Sequence, residues 1–284
     1  MRTISTQYGE LIPQHTADDL RKREIMPVEY HASGGIKSVP LEEQTVIATS
    51  AGDIPAELVS FHENGSLNRI FPLNGKLSGY WSQDDEAGLS VPITLTTPMG
   101  VIRVRILSAG FYDDQSLRSL TLWPGETVSV PTPAGPVVAR IGVSFTRDGR
   151  VRSLEPAKPV AVPTPAGEMT AYDPDAVGVN GDANSLAFND EGKVCRLSTT
   201  LSGLIAVHPD GRTHRHVPQY RESLCSEAER EVVPMRVEFD GDEVRIAIRP
   251  DRPATILKGK GYVFFAEPFL PQLPDMFTGL RCSV

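Results

Sequence analysis

The sequence predicts an all-β protein with very little helix, built as an elongated array of tandem β-hairpin repeats with a C-terminal cap. Three observations lead to this fold class. An aromatic residue, a polar pair and a glycine recur in a fixed frame, and a Thr-Pro-x-Gly element alternates with that frame in constant order. The chain also holds 24 glycines and 24 prolines in 284 residues, a density of turn chemistry that long helices do not tolerate.

The first element reads Phe61-His62-Glu63-Asn64-Gly65-Ser66-Leu67-Asn68-Arg69-Ile70. It returns as Phe145-Thr146-Arg147-Asp148-Gly149-Arg150-Val151-Arg152-Ser153-Leu154 and as Phe188-Asn189-Asp190-Glu191-Gly192-Lys193-Val194-Cys195-Arg196-Leu197. Weaker copies begin at Tyr30, with Gly34, Ile36 and Val39, and at Phe111, with Leu117 and Leu120; in the latter Gln115 takes the place of glycine. Asn-Gly and Asp-Gly tolerate the positive φ of tight turns, so these are hairpin tips. Before the tip, Val59 and Phe61 alternate with Ser60 and His62, the period of a half-buried strand. After it the apolar residues stand three apart (Leu67 and Ile70, Val151 and Leu154), which predicts a bulge or bend that returns both to the inside.

The second element reads Thr49-Ser50-Ala51-Gly52, Thr97-Pro98-Met99-Gly100, Thr132-Pro133-Ala134-Gly135 and Thr164-Pro165-Ala166-Gly167. Proline sets the first corner of a turn and glycine follows it. Residues 128–135 and 160–167, VSVPTPAG and VAVPTPAG, differ at a single position. Each unit is therefore strand, hairpin, strand, turn. One unit cannot bury its own apolar face, but stacked units can. Two short helices are expected: residues 16–26, from the capping Thr16 to Pro27, and residues 223–231. The array is expected to occupy residues 1–200. Residues 201–284 hold degenerate hairpins at Asp210-Gly211 and Asp240-Gly241 and continue the array. Their apolar end carries Phe264, Phe265, Phe269, Leu270, Leu273, Met276 and Phe277. It is expected to cap the last open edge, with a docking tail as the other reading.

The run FHENGSLNRIFPLNGKLSGYW, residues 61–81, resembles the MORN-variant repeats of bacterial repeat proteins, some of which neutralise toxins as antitoxins. The likeness lies in aromatic-x-x-Asn-Gly-x-Leu and in Asn74-Gly75-Lys76-Leu77-x-Gly79. It implies a β-hairpin array and protein binding, with no catalytic residues to carry over.

Two clusters are candidates for chemistry. In His208-Pro209-Asp210-Gly211-Arg212-Thr213-His214-Arg215-His216 half of the six histidines fall within nine residues. A two-residue turn at Asp210-Gly211 would set Val207 opposite His214 and bring His208, His214 and His216 toward one divalent metal ion, unless Arg212 and Arg215 repel it. The second cluster is the loop 171–184. Gly167 lies 21 residues before Phe188, whereas Gly52, Gly100 and Gly135 lie 9 to 11 before their aromatics, so this copy carries an insertion. Its Asp173, Asp175, Asn180, Asp182 and Asn184 offer hard oxygen ligands, although their spacing is not that of an EF-hand. His31 and His62 share one position in consecutive repeats and read as a polar outer surface. Trp81 and Trp123 read as core, with an exposed binding platform as the alternative, Cys195 as buried and Cys282 as exposed.

Thirty-six acidic and 28 basic side chains give a net charge of −8, which argues against nucleic acid or an anionic membrane as partner. Three cysteines make no disulfide framework and the first fifteen residues hold no apolar run, so a cytoplasmic protein is expected. No nucleophile elbow, phosphate loop, dinucleotide fingerprint, H-E-x-x-H or C-x-x-C is present. The sequence thus points to a cytoplasmic, non-enzymatic β-repeat scaffold without a cofactor that binds another protein, a basic one by electrostatic steering. The alternative is a small-molecule or metal-binding protein, or an enzyme, working through the 171–184 loop or the histidine hairpin.

Overall fold

A computed structural model describes residues 3–18, 20–178, 181–222, 230–248, 253–258 and 261–271. Its strands are β1 (Ile4–Thr6), β2 (Gly9–Leu11), β3 (Glu29–Tyr30), β4 (Ile36–Thr49), β5 (Gly52–Phe61) and β6 (Leu67–Phe71). After the helix α1 (Gln83–Leu89) come β7 (Ile93–Thr97), β8 (Gly100–Val104), β9 (Ile106–Phe111), β10 (Leu117–Leu122), β11 (Val128–Thr132), β12 (Gly135–Phe145) and β13 (Val151–Pro156). There follow β14 (Val160–Thr164), β15 (Gly167–Ala171), β16 (Leu186–Phe188), β17 (Val194–Thr199), β18 (Ser202–Val207) and β19 (Thr213–His216). The chain ends with β20 (Gln219–Glu222), β21 (Arg230–Val233), β22 (Met235–Asp240), β23 (Glu243–Ala247), β24 (Thr255–Lys258) and β25 (Val263–Pro268). The protein is an array of antiparallel hairpins with almost no helix. Among the described residues no helix is long and apolar enough to cross a membrane.

The chain forms two compact units that interleave in sequence and do not divide at residue 200. The first comprises Met1–Pro131, Val138–Leu154 and Val177–Asn184; the second comprises Thr132–Val137, Glu155–Ala176 and Ser185–Val284. In the first unit the strand order β3-β4-β5-β6-β9-β10-β12 follows the chain, with the β7–β8 hairpin set aside. Its register places Val39, Val59, Ile70, Ala109, Leu120 and Val143 opposite one another in a single row. All six are completely buried. Because successive side chains alternate between faces, the neighbouring row, Ser38, Ser60, Arg69, Gly110, Ser119 and Ser144, lies on the other face. In the second unit β16-β17-β22-β23-β24 repeat the scheme, with Leu197, Val237 and Ile246 as the buried row.

The expected bulge is present at every aromatic hairpin whose register is resolved. Phe61 pairs with Leu67 but Ser60 pairs with Arg69, so one extra residue is accommodated and both Leu67 and Ile70 are buried. The same shift occurs at Tyr30, Phe111 and Phe188. The tips share one bonding pattern. At the Phe61 hairpin the Gly65 N–H donates to the His62 carbonyl at 2.9 Å and the His62 N–H to the Ser66 carbonyl at 2.8 Å. Gly65 has φ +78°, and Gln115, without glycine's freedom, holds +71° at the same place. These are turns closed by a left-handed bulge residue, a three-residue loop rather than a two-residue one.

The Thr-x-x-Gly turns are equally uniform. Thr97 Oγ1 donates to the Gly100 carbonyl at 2.8 Å and accepts the Met99 N–H at 3.1 Å. Thr49, Thr132 and Thr164 do the same, and so does Thr6, whose turn Thr6-Gln7-Tyr8-Gly9 has no proline.

One expectation is corrected, and two fall only in part on the described residues. Residues 16–26 do not form a helix. The Asp18 carboxylate accepts the N–H groups of Leu20, Arg21 and Lys22, and this local competition replaces helical bonding. Of residues 223–231, Arg230 and Glu231 lie in β21 and the others outside the described residues. The helix that does form, α1, carries a capping box between Ser82 and Asp85. Finally, the described part of the C-terminal segment is β25, which pairs along the whole of β18 in a three-stranded sheet with β19. Residues 272–284 lie outside the described residues.

Candidate functional site

The polar row of the first unit is lined by small side chains because a chain segment lies upon it. That segment is the end of the insertion, Val177–Asn184. The Gly181 N–H donates to Thr121 Oγ1 at 2.9 Å. A Cβ on Gly142 would overlap the Cα of Gly181, and one on Gly181 would overlap the Leu120 carbonyl, so this approach requires both glycines. Asn184 is buried; its Nδ2 donates to Ser153 Oγ at 2.9 Å and to the Gly181 carbonyl at 3.0 Å. Just before Gly142, Ile141 has φ +61°, a strained conformation for a β-branched residue.

Asp182 is the charged centre. Arg69 pairs with one carboxylate oxygen, Ser119 Oγ donates to the other, and Arg118 Nε lies 3.5 Å away. Arg69 also donates to Ser108 Oγ at 3.0 Å. Gly110 forms the floor beneath both guanidinium groups, because a Cβ there would lie 2.7 Å from Ser119 Oγ and 3.1 Å from Arg118 Nη2. The side chains of Arg69, Arg118 and Asp182 are 14%, 24% and 31% exposed. Two permanent positive charges thus face one carboxylate, an arrangement that anchors an anion. Here the anion is Asp182 of the chain itself, and the cluster acts as a latch for the insertion.

The five oxygen donors expected to share a ligand do not form one shell. Asp182 and Asn184 are used in the latch, and Asn180 lies outside the described residues. Asp173 and Asp175 belong to the second unit, where Asp175 pairs with Arg221 at 3.0 Å and its N–H donates to Asp173 Oδ1. Arginine thus neutralises two of the carboxylates that a cation would need, Asp175 and Asp182.

The histidine hairpin also departs from expectation. Its bulged tip shifts the register by one, so His214 lies opposite Ala206 and Val207 opposite Thr213. His208 Nδ1 lies 2.6 Å from Asp210 Oδ1 and its ring meets Tyr262 edge-on at 5.1 Å. Burial, aided by the neighbouring His214, pushes the titration of His216 below the usual histidine range. Among the described residues no group of three or more His, Cys, Asp or Glu is arranged to hold a metal ion.

A second charged centre escaped sequence reasoning. Arg21, from the 16–26 loop, donates to Glu57 of β5 at 2.8 and 2.7 Å and to Glu86 of α1 at 2.7 and 2.7 Å. Asn74 and Gly75 give their N–H groups to Glu57 and Glu86, and the Trp81 indole donates to Glu86 at 2.6 Å. Burial alone would raise the Glu86 carboxyl, but the Arg21 and Trp81 hydrogen bonds outweigh it and hold the group below the usual range. The Asn74-Gly75 stretch thus cradles carboxylates with its backbone. The only local signals were the Ser82-x-x-Asp85 capping box and a glutamate within the apolar run of β5.

His31 and His62 do not form an outer polar stack. Their Nε2 atoms reach the carbonyls of Phe61 at 3.0 Å and Phe111 at 3.1 Å, and Tyr112 Oη donates to Phe145 at 2.9 Å, so each ties its hairpin to the next. Trp123 is buried, as expected of core. Cys195 is half-buried rather than buried, and Cys282 lies outside the described residues. Comparison with known proteins finds no matching family model, no matching curated protein and no matching solved structure.

Proposed function

We propose that the protein is a non-enzymatic, cytoplasmic β-repeat scaffold whose role is to bind another protein. The observation that carries this reading is the outward face of β25. Val263 and Phe265 alternate on that face at 50% and 52% exposure, and Leu270 just beyond is 85% exposed. Ile205, opposite Phe265 on β18, is half-buried. An outward sheet face ordinarily carries polar side chains, so an apolar row there suits a protein partner. The ionisable groups of the two charged centres, by contrast, are occupied in holding strands and loops together. The resemblance of residues 61–81 to MORN-variant repeats points the same way. The net charge of −8 favours a basic partner.

Native mass spectrometry of the untagged protein, purified gently from its own cells, tests the reading. A mass excess equal to a different polypeptide is expected, and it should vanish in Phe265→Asp with the thermal midpoint unchanged. An excess equal to one metal ion or one small molecule would replace this reading with a ligand-binding one. In that case His208, His214 and His216 changed together to alanine would show whether the hairpin holds the metal.

A further inference from the structure

Within each unit the two repeat elements fit together as plug and socket. The second residue of a Thr-x-x-Gly turn meets the left-handed residue of a hairpin tip. Gln7 Nε2 donates to the Gly65 carbonyl at 3.0 Å and Ser50 Oγ to the Gln115 carbonyl at 2.6 Å. Pro98 packs on Gly149, where a Cβ would lie 3.4 Å from its ring, and Pro133 packs on Gly192, where the distance would be 3.0 Å. The third residue can cover the aromatic of the tip: the Tyr8 ring lies 6.0 Å from that of Phe61 and its hydroxyl accepts the Leu67 N–H at 2.8 Å. Each turn thus passes over the next tip in the chain and serves the one after it.

This offset leaves two tips, at Gly34 and Gly211, and one turn unmatched among the described residues. The first tip, at Gly34, is passed over by the Thr6–Gly9 turn, which serves Gly65; among the described residues it has neither a turn proline against its glycine nor a turn side chain bonded to its carbonyl. Its aromatic, Tyr30, is 55% exposed, whereas Phe61, Phe111, Phe145 and Phe188 are between 0% and 5% exposed. A cleft of about 370 Å³ opens beside it, lined by Thr6, Gln7, Gly35, Ile36, Phe61 and Gly65 among others. The tip at Gly211, to which the same offset would assign the Thr164–Gly167 turn, has the same bonding and nothing within 4 Å of a Cβ on its glycine, but it carries Val207 in the aromatic position and so is no equivalent socket. At the other end, the fifth turn, Thr164–Gly167, meets no tip: none of Gly34, Gly65, Gly149, Gly192 and Gly211 has Pro165 against it, whereas Gly149 and Gly192 carry Pro98 and Pro133. This turn is otherwise built like Thr49–Gly52. In both, the carbonyl of the third residue accepts a strand N–H (Thr96 to Ala51 at 2.8 Å, Ala266 to Ala166 at 2.7 Å), and that third residue is buried. The earlier turn docks through Ser50 with its flank covered in this way, so a covered flank leaves Pro165 able to dock.

We infer that the protein associates with itself head to tail, the Thr164–Gly167 turn of one copy seating on the Tyr30–Gly34 hairpin tip of the next. The occupant is a second copy because the socket repeats a contact this chain makes four times internally, and its fifth turn carries the unused complement. The contact is heterologous, so it propagates into rings or open chains instead of stopping at a two-fold dimer. It is independent of a partner on β25.

Sedimentation velocity of the full chain over rising concentration, with two exposed-site variants, decides the matter. The wild type should form species beyond the dimer. Ser33→Arg blocks the tip and Pro165→Arg blocks the turn; each alone should weaken association at least about tenfold, with unchanged circular dichroism. Mixed in equal amounts, the intact turn of the first variant meets the intact tip of the second, so dimers should form and nothing larger. A wild type that stays monomeric throughout overturns the inference. So do variants that assemble like the wild type, or an associating wild type whose paired variants fail to complement.

Discussion

At Gly142 the missing Cβ leaves the space that the Gly181 backbone fills, and that backbone, whose Cα would lie 2.4 Å away, cannot swing aside as a side-chain end could. Gly142→Ala should therefore expel the insertion from the polar row and destabilise the first unit by about 2–3 kcal/mol in denaturant unfolding. Gly79→Ala, with nothing within 4 Å of its Cβ, is the control and should be nearly neutral. The carboxylates make a second prediction at this scale. The His15 N–H and the Thr16 hydroxyl lower the Glu42 carboxyl from its ordinary 4.5 to about 2, and Glu86 is also held low. A group depressed in the folded state stabilises it above the unfolded value and loses that contribution as pH falls through the folded one. Stability should thus decline from about pH 4.5 toward pH 2, measured by thermal unfolding across that window. A flat profile would mean these hydrogen bonds do not persist in solution.

The working element of this fold is the turn seated on a tip, more than the strand. Thr97 Oγ1 closes its turn with two hydrogen bonds, and Pro98 in that turn covers Gly149. Thr97→Val preserves shape but removes both bonds, and should cost about 1 kcal/mol. The loss should be read at a distance. Hydrogen exchange should quicken at the Thr146 and Gly149 amides, whose hairpin the turn holds down, and stay unchanged at Gly65. Uniform quickening everywhere would argue against a local coupling. At this scale the sequence was highly legible, because the conformation of a tip is set by residues adjacent to it. Left-handed φ demands glycine or a tolerant substitute, and three-apart apolar residues require a bulge. The same locality explains the failures. At residues 16–26 a helical start signal was outweighed by Asp18 bonding its own downstream N–H groups. At the histidine hairpin, a three-residue loop in place of a two-residue one moved every facing pair by one position.

For the whole molecule the decisive contacts join residues far apart in the chain. Arg69 and Asp182 are 113 positions apart, and Arg21 and Glu86 are 65 apart. The β25 strand pairs with every residue of β18, whose Leu204 and Ala206 are completely buried. Deleting residues 261–284 should therefore lower the thermal stability of the second unit, in addition to removing the exposed apolar row. A truncated protein that melts like the full chain would show that β25 contributes contact surface without structural support. By itself the sequence determined the all-β class, the hairpin tips, the bulges and the paired turn elements, because backbone preferences and side-chain alternation act between near neighbours. Only the tertiary structure decided that the insertion docks through Asp182 on two arginines, that Arg21 joins two glutamates, and that each turn serves the tip after the next one. Those outcomes depend on which strands lie side by side and in what register, and a charged residue carries no mark of the distant partner that will neutralise it.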